Sequence, residues 1–267
     1  MSEAAPVVEH VTSRDGIRIG YHRTGEGPPL VLLHGATGDH TSFTLLAPLL
    51  ADRFTVYAVD RRGRGESGDA ADYAIEREFE DVAAVADSLD RPVSLFGHSY
   101  GATVALGAAL MAGNIGKLVL YEPSPAFVVV PAEAVERIEG LVARGERDEA
   151  LVETYRVIGF TPEEIEERRA APAWPARVAA AHTIAREIRA EEAYRVDPER
   201  YRGLIAPVLL LLGEESPDWA RDGTELIRAA LPDARVVVLR GQGHAATVTA
   251  PELVADEIAR FLGERSQ

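Results

Sequence analysis

The 267-residue chain contains no cysteine, a single lysine (Lys117) and few aromatic residues, 6% of the total. Without cysteine there are no disulfides, no thiolate metal ligands and no thiol nucleophile, so any chemistry must use oxygen and imidazole. Positive charge is scarce too: 28 basic against 43 acidic side chains leave −15 at pH 7, and nearly every base is an arginine dispersed among acids. Phosphate backbones are bound through clustered Lys and Arg, so this balance excludes nucleic acid as an expected partner. Long apolar runs are missing as well. The longest, Ala102 to Ala112 and Val208 to Leu212, fall short of the roughly 18 residues that a membrane span needs, and no membrane association is expected. Residues Met1 to His10 carry Glu3 and Pro6 where an export signal has a basic patch and an apolar run, which points to a cytoplasmic protein. What is present is a globular composition, with 46% apolar residues.

Short Val- and Leu-rich runs recur at Leu30 to Leu33, Phe54 to Val59, Val93 to Phe96, Leu118 to Tyr121, Val208 to Leu212 and Val236 to Leu239, with helix-like segments between them. Near-continuous apolar strands alternating with helices predict a parallel sheet covered on both faces. Ahead of them, Val7 to Thr12 and Ile17 to His22 flank an Asp15-Gly16 turn and predict an antiparallel hairpin. The fold class is therefore α/β, with about eight mostly parallel strands. Between Tyr121 and Val208 lie four helix-like stretches, Ala132 to Arg144, Arg147 to Ile158, Pro162 to Ala170 and Ala176 to Ala193. They predict an inserted helical cap over residues 126–203, with 1–125 and 204–267 forming the core; Pro123, Pro125 and Pro131 lead in, and Pro198, Gly203 and Pro207 lead out.

The pentapeptide Gly97-His98-Ser99-Tyr100-Gly101 directly follows a predicted strand and precedes the helix-like Ala102 to Met111. This G-x-S-x-G pattern places a serine on a sharp strand-to-helix turn, where the flanking glycines allow close approach of neighbouring chain. A serine hydroxyl is a weak nucleophile and needs a base, itself oriented by a carboxylate. Of the seven histidines, His244 follows the last predicted strand in the turn Gly241-Gln242-Gly243-His244, ahead of a final helix from Pro251 to Leu262.

With these residues the chain resembles the α/β-hydrolase superfamily over essentially its whole length. Supporting motifs are His34-Gly35 after the third strand, Asp60 to Ser67 after the fourth and Tyr121-Glu122-Pro123 after the sixth. The resemblance implies Ser99 as nucleophile, His244 as base, and backbone N–H groups of Ala36 and Tyr100 as oxyanion donors. The acid departs from the commonest pattern. Most members carry Asp after the seventh strand, but Gly213-Glu214-Glu215-Ser216-Pro217 has Ser216 there. A minority, including some lactone hydrolases, place the acid after the sixth strand, where Glu122 stands; Glu215 and Asp218 are the alternatives, and Glu122 can also be read as a structural anchor of the cap.

Gly63-Arg64-Gly65-Glu66-Ser67-Gly68 matches G-x-G-x-x-G but does not open a helix directly, and it reads as a structural turn rather than a dinucleotide site. No H-E-x-x-H or other metal spacing occurs, so neither metal nor cofactor is expected. In the cap, Trp174, Phe127, Tyr155 and His182 are candidates for lining a substrate pocket, or else belong to the cap's own packing, and Trp174, between Pro172 and Pro175, is the first choice for the pocket. The reading is a serine hydrolase that cleaves a carboxylic ester or lactone of a small to medium apolar compound through an acyl-enzyme. A lyase or carbon–carbon hydrolase with the same triad, or a receptor built on the same fold, is the alternative; a lyase would want a lysine or polar cluster in its pocket.

Overall fold

The computed structural model describes residues 6–124, 130–194, 196–231 and 233–264. Its chain order is β1 (Val7–Thr12), β2 (Arg18–Thr24), β3 (Pro29–Leu33), α1 (Leu46–Ala51), β4 (Thr55–Val59), α2 (Ile75–Asp87), β5 (Val93–His98), α3 (Tyr100–Ala108) and β6 (Ile115–Tyr121). An insertion follows with α4 (Ala132–Ala143), α5 (Arg147–Val157), α6 (Pro162–Arg169), α7 (Trp174–Ala179) and α8 (Ile184–Tyr194). The chain closes with β7 (Val208–Gly213), α9 (Asp218–Ala230), β8 (Arg235–Leu239), α10 (Ala246–Thr249) and α11 (Pro251–Gly263).

The eight strands form one sheet in the order β1-β2-β4-β3-β5-β6-β7-β8. The β1–β2 and β2–β4 pairs are antiparallel and all others parallel. Every residue of β3 and β7 is buried. Because side chains alternate across a strand, such continuous apolar runs serve two cores at once. Val31 and Leu33 join Leu95, Leu118 and Leu120 against α2, α3 and α9 on one face. Leu30 and Leu32 join Phe96, Val119 and Leu211 against α1 and α11 on the other. The insertion has an apolar cluster of its own, built around Val135, Ile138, Leu151, Tyr155 and Trp174. None of the described helices is long and apolar enough to cross a membrane.

One expected element differs. The single helix expected over Ala176 to Ala193 is split into α7, a 3-10 turn at Ala181–Thr183 and α8. The buried Thr183 hydroxyl donates to the Ala180 carbonyl at 2.9 Å and accepts from Arg64 Nη2 at 2.5 Å. Competition of this kind between a hydroxyl and the backbone ladder favours a break in the helix.

Candidate active site

Ser99 stands between the last residue of β5 and the first of α3 with φ 55° and ψ −125°. Among the described residues, three non-glycine residues have positive φ: Thr37, Ser99 and Glu122. They follow β3, β5 and β6, three adjacent strands at the carboxyl edge of the sheet. Such conformations cost of order 1–3 kcal/mol each and persist where surrounding contacts enforce them. Here the enforcement is close packing. A Cβ at Gly97 would collide with the backbone of Gly101 and Ala102, and one at Gly101 with the carbonyls of Leu33 and His34. The glycines expected to permit a tight turn do so by letting α3 start directly against β3 and β5.

The opposite wall carries an imidazole and a carboxylate. His244 Nδ1 lies 2.5 Å from Glu122 Oε2, and the Glu122 side chain is completely buried. Its other oxygen, Oε1, accepts from the Gly213 N–H at 2.7 Å and from the Ser216 hydroxyl. The serine at the more usual acid position after β7 therefore binds the carboxylate supplied by β6. Glu215 and Asp218 are exposed and make no hydrogen bond to His244. The His244 turn is held from two sides: the Tyr121 hydroxyl donates to the Gly243 carbonyl and accepts from the Ala246 N–H at 3.2 Å, while His98 Nε2 donates to the His244 carbonyl at 2.9 Å. Burial and the nearby His244 push His98 well below the usual histidine range, so it serves as a neutral donor. Trp219 packs edge-on to the His244 ring, with centroids 4.8 Å apart. With Nδ1 taken up by Glu122, His244 Nε2 remains to accept a proton. The Ser99 hydroxyl has no hydrogen bond among the described residues, and bonds of this kind often close only on substrate binding.

Facing the serine is the turn after β3. Gly35 lies so close that a Cβ there would come within 3.1 Å of Ser99 Cβ. His34 braces the turn: its Nδ1–H donates to the Gly35 carbonyl at 2.8 Å, and its Nε2 accepts from the Arg61 N–H at 3.3 Å. Burial, with Arg61, Arg64 and Arg177 nearby, pushes it well below its usual range and keeps it neutral. The backbone N–H groups of Ala36 and Tyr100 have no acceptor among the described residues, which leaves two free donors beside Ser99. The Tyr100 side chain is anchored separately. Its hydroxyl meets that of Tyr73 at 2.8 Å, Tyr73 donates to Glu78 at 2.5 Å, and Arg61 binds Glu78 at 2.8 Å and Glu187 of α8 at 2.5 Å. A buried ionic network thus ties the helix after Ser99 to the insertion.

The candidate pocket residues separate. Tyr155 reaches the site: its hydroxyl lies 3.2 Å from Thr37 Oγ1, the residue after Ala36, and Arg177 Nη1 donates to both hydroxyls, at 3.3 and 3.1 Å. Trp174 instead lies in the insertion's core, 6% exposed, with Nε1 donating to Asp148 at 2.7 Å and its ring 6.0 Å from Tyr155. It opens α7 rather than standing in a bent connection, which is why its ring is shared by a helical core after all. Trp174→Ala is therefore expected to lower folding stability by about 3–5 kcal/mol, read by urea unfolding; unchanged stability with altered substrate preference would return it to the pocket. His182 faces Asp69 at 3.6 Å. Phe127 lies outside the described residues.

The Gly63 to Gly68 turn wraps around Asp60, whose carboxylate accepts from the backbone N–H groups of His40 at 2.8 Å and Glu66 at 3.0 Å. A Cβ on Gly65, at φ 48°, would strike that carboxylate. His22 and His40 join Asp60 with potential ligand atoms within 4.8 Å of one another. Their rings stack at 3.5 Å and 19°, and His40 Nδ1 meets an Asp60 oxygen at 2.8 Å, so the three side chains form a carboxylate-anchored imidazole stack.

A model of the alpha/beta hydrolase family matches residues 30–257, most of the chain. The chain belongs to the alpha/beta hydrolase family. This α/β-hydrolase is 34% identical to an alpha/beta hydrolase of Sphaerobacter thermophilus, with a TM-score of 0.84 over 95% of this chain and 100% of that one. It is 29% identical to a 2-(acetamidomethylene)succinate hydrolase of Mesorhizobium japonicum over 92% of each chain. A pimeloyl-[acyl-carrier protein] methyl ester esterase of Methylococcus capsulatus shares 38% identity over 40% of this chain and 42% of its own.

Sequence spacing gave no role at this site to Ser216, Tyr121, Trp219 or Arg177, whose contacts here are with residues far along the chain. The lone departure from the family pattern, Ser216 in place of Asp, was the available signal that the turn after β7 has to serve a carboxylate placed elsewhere.

Proposed function

We propose that this α/β-hydrolase is a serine hydrolase that cleaves a carboxylic ester or lactone of a small to medium compound through an acyl-enzyme. The observation that carries the reading is the contact between buried Glu122 and His244 Nδ1, beside a serine held in an elbow. Ser99 Oγ attacks the carbonyl carbon while His244 Nε2 takes the hydroxyl proton and returns it to the departing alkoxide. Water then repeats the sequence on the acyl-enzyme and releases the acid. Glu122 fixes the tautomer and stabilises the imidazolium. The Ala36 and Tyr100 amides hold the oxyanion, an interaction that contributes a few kcal/mol where charge develops. The methyl ester esterase among the relatives supports an ester bond as the target, and the insertion, whose Tyr155 and Arg177 touch the turn after β3, is the natural cover for the acyl or alcohol group. A lyase reading wants a lysine at the site, whereas Lys117 Nζ donates to the Phe261 and Glu264 carbonyls at 2.9 and 2.6 Å, near the start of β6.

The reading is tested with a fluorophosphonate and a panel of chromogenic esters and lactones of graded size. A single adduct on Ser99, with turnover of at least one ester series, is expected. Ligand binding without labelling or turnover would instead indicate a receptor.

A further inference from the structure

In a chain of net charge −15, arginines find carboxylates easily. Within the insertion, Arg137 meets Glu153 at 2.8 Å, Arg186 meets Asp69 at 2.7 Å and Arg189 meets Glu139 at 2.9 Å. Arg168 and Arg177 have no carboxylate partner among the described residues. Both are half-buried and they flank Tyr155. Among the described residues the Arg177 guanidinium is bound only by the Thr37 and Tyr155 hydroxyls, at the residue that follows the free Ala36 amide. Arg168 lies 4.1 Å over the Phe160 ring. Burial and the like charge of Arg177 pull Arg168 below the usual arginine range.

Deeper under the insertion the excess of donors continues. Arg61 Nη1 and Arg64 Nε and Nη1 are buried without a hydrogen-bond partner among the described residues. Glu78 and Glu187 balance Arg61 and Arg64 in charge. Glu191, bonded to the Ser124 hydroxyl at 2.7 Å, is pushed up to about 8 by burial, so it adds no negative charge at neutral pH. Arg177 thus brings to the turn after β3 a guanidinium with no carboxylate bonded to it among the described residues, close to the amides that would receive an oxyanion, with Arg168 on Tyr155 behind it.

We infer that the site takes an ester carrying a free carboxylate a few atoms from the scissile carbonyl, with Arg177 binding that carboxylate and Arg168 adding charge behind it. This rests on the hydrolase reading above and names its substrate class. A guanidinium presents a planar fork of donors that suits a carboxylate better than a hydroxyl, and bonds of this charge-assisted type are the stronger ones. A carboxylate seated there also relieves the repulsion between Arg168 and Arg177. Such a substrate has an anionic end, unlike the apolar compound expected from the sequence.

The test compares kcat/KM for the 4-nitrophenyl monoester of glutaric acid, which keeps a free carboxylate, with that for 4-nitrophenyl valerate, of similar length and neutral. A preference of ten- to a hundredfold for the glutarate monoester is expected, expressed mainly in KM. In Arg177→Met the ratio should fall to near one, and Arg177→Lys should keep part of it. A ratio near one in the unmodified protein overturns the inference while leaving the hydrolase reading intact. If neither ester is turned over, that reading fails on its own, and titration with glutarate still decides the carboxylate site: binding that is lost in Arg177→Met supports it, and no binding overturns it.

Discussion

Ser99→Ala is expected to lower ester turnover by about a million-fold and to abolish fluorophosphonate labelling, with little change in unfolding midpoint. The size of the effect follows from the chemistry of the elbow. Ser99 offers its hydroxyl at the turn into α3, beside the free amides of Ala36 and Tyr100, whereas the hydroxyls of Tyr100 and Thr103 are engaged by Tyr73 and by the Ser124 carbonyl and the chain has no cysteine. Removing the hydroxyl leaves the oxyanion donors and the binding contacts, which sustain only a small residual rate. An alanine variant that kept most of its activity would remove Ser99 from the reaction altogether.

Glu122→Gln should reduce turnover by roughly a thousand-fold or more while labelling, at a slower rate, remains confined to Ser99. Glutamine keeps the shape, and its amide can still meet Gly213 or Ser216. It cannot stabilise an imidazolium, and its NH2 group presents a donor to the His244 nitrogen that should itself donate. The partner on the other oxygen makes a second arm possible. Ser216→Asp alone would set a second carboxylate within reach of Glu122 Oε1, where the hydroxyl now donates, and like charges sharing one buried site oppose each other. Turnover should fall in that single variant, yet the same change made in the Glu122→Gln background should restore part of the rate, since only one carboxylate then remains. Near-normal activity in Glu122→Gln, together with collapse in Glu215→Gln or Asp218→Asn, would move the acid to the turn after β7.

Much of this arrangement is written in short-range pattern. The runs at Leu30 to Leu33 and Val208 to Leu212 announce strands buried on both faces because each residue must be apolar whichever way it points. Gly97 to Gly101 announces the elbow because only glycine tolerates the backbone contacts that the turn imposes. The boundary that failed, the helix expected across Ala180 to Thr183, failed because its periodicity is genuine. At the break the Thr183 hydroxyl is held between the Ala180 carbonyl and Arg64, 119 residues away in the chain.

The order of strands and helices, the serine elbow, the histidine turn and the two competing positions for the acid are all properties of neighbours along the chain, and local sterics and hydrophobic periodicity suffice to place them. The choice of Glu122 as the partner of His244, the use of Ser216 to hold it, and the delivery of Arg177 to the turn after β3 depend on contacts between residues 122, 94 and 140 positions apart. Residue spacing carries no record of such contacts. They come into being only when the sheet aligns the ends of β3, β6 and β7 and the insertion folds down against them, which brings charges into a buried space where each must find a partner or wait for a substrate to supply one.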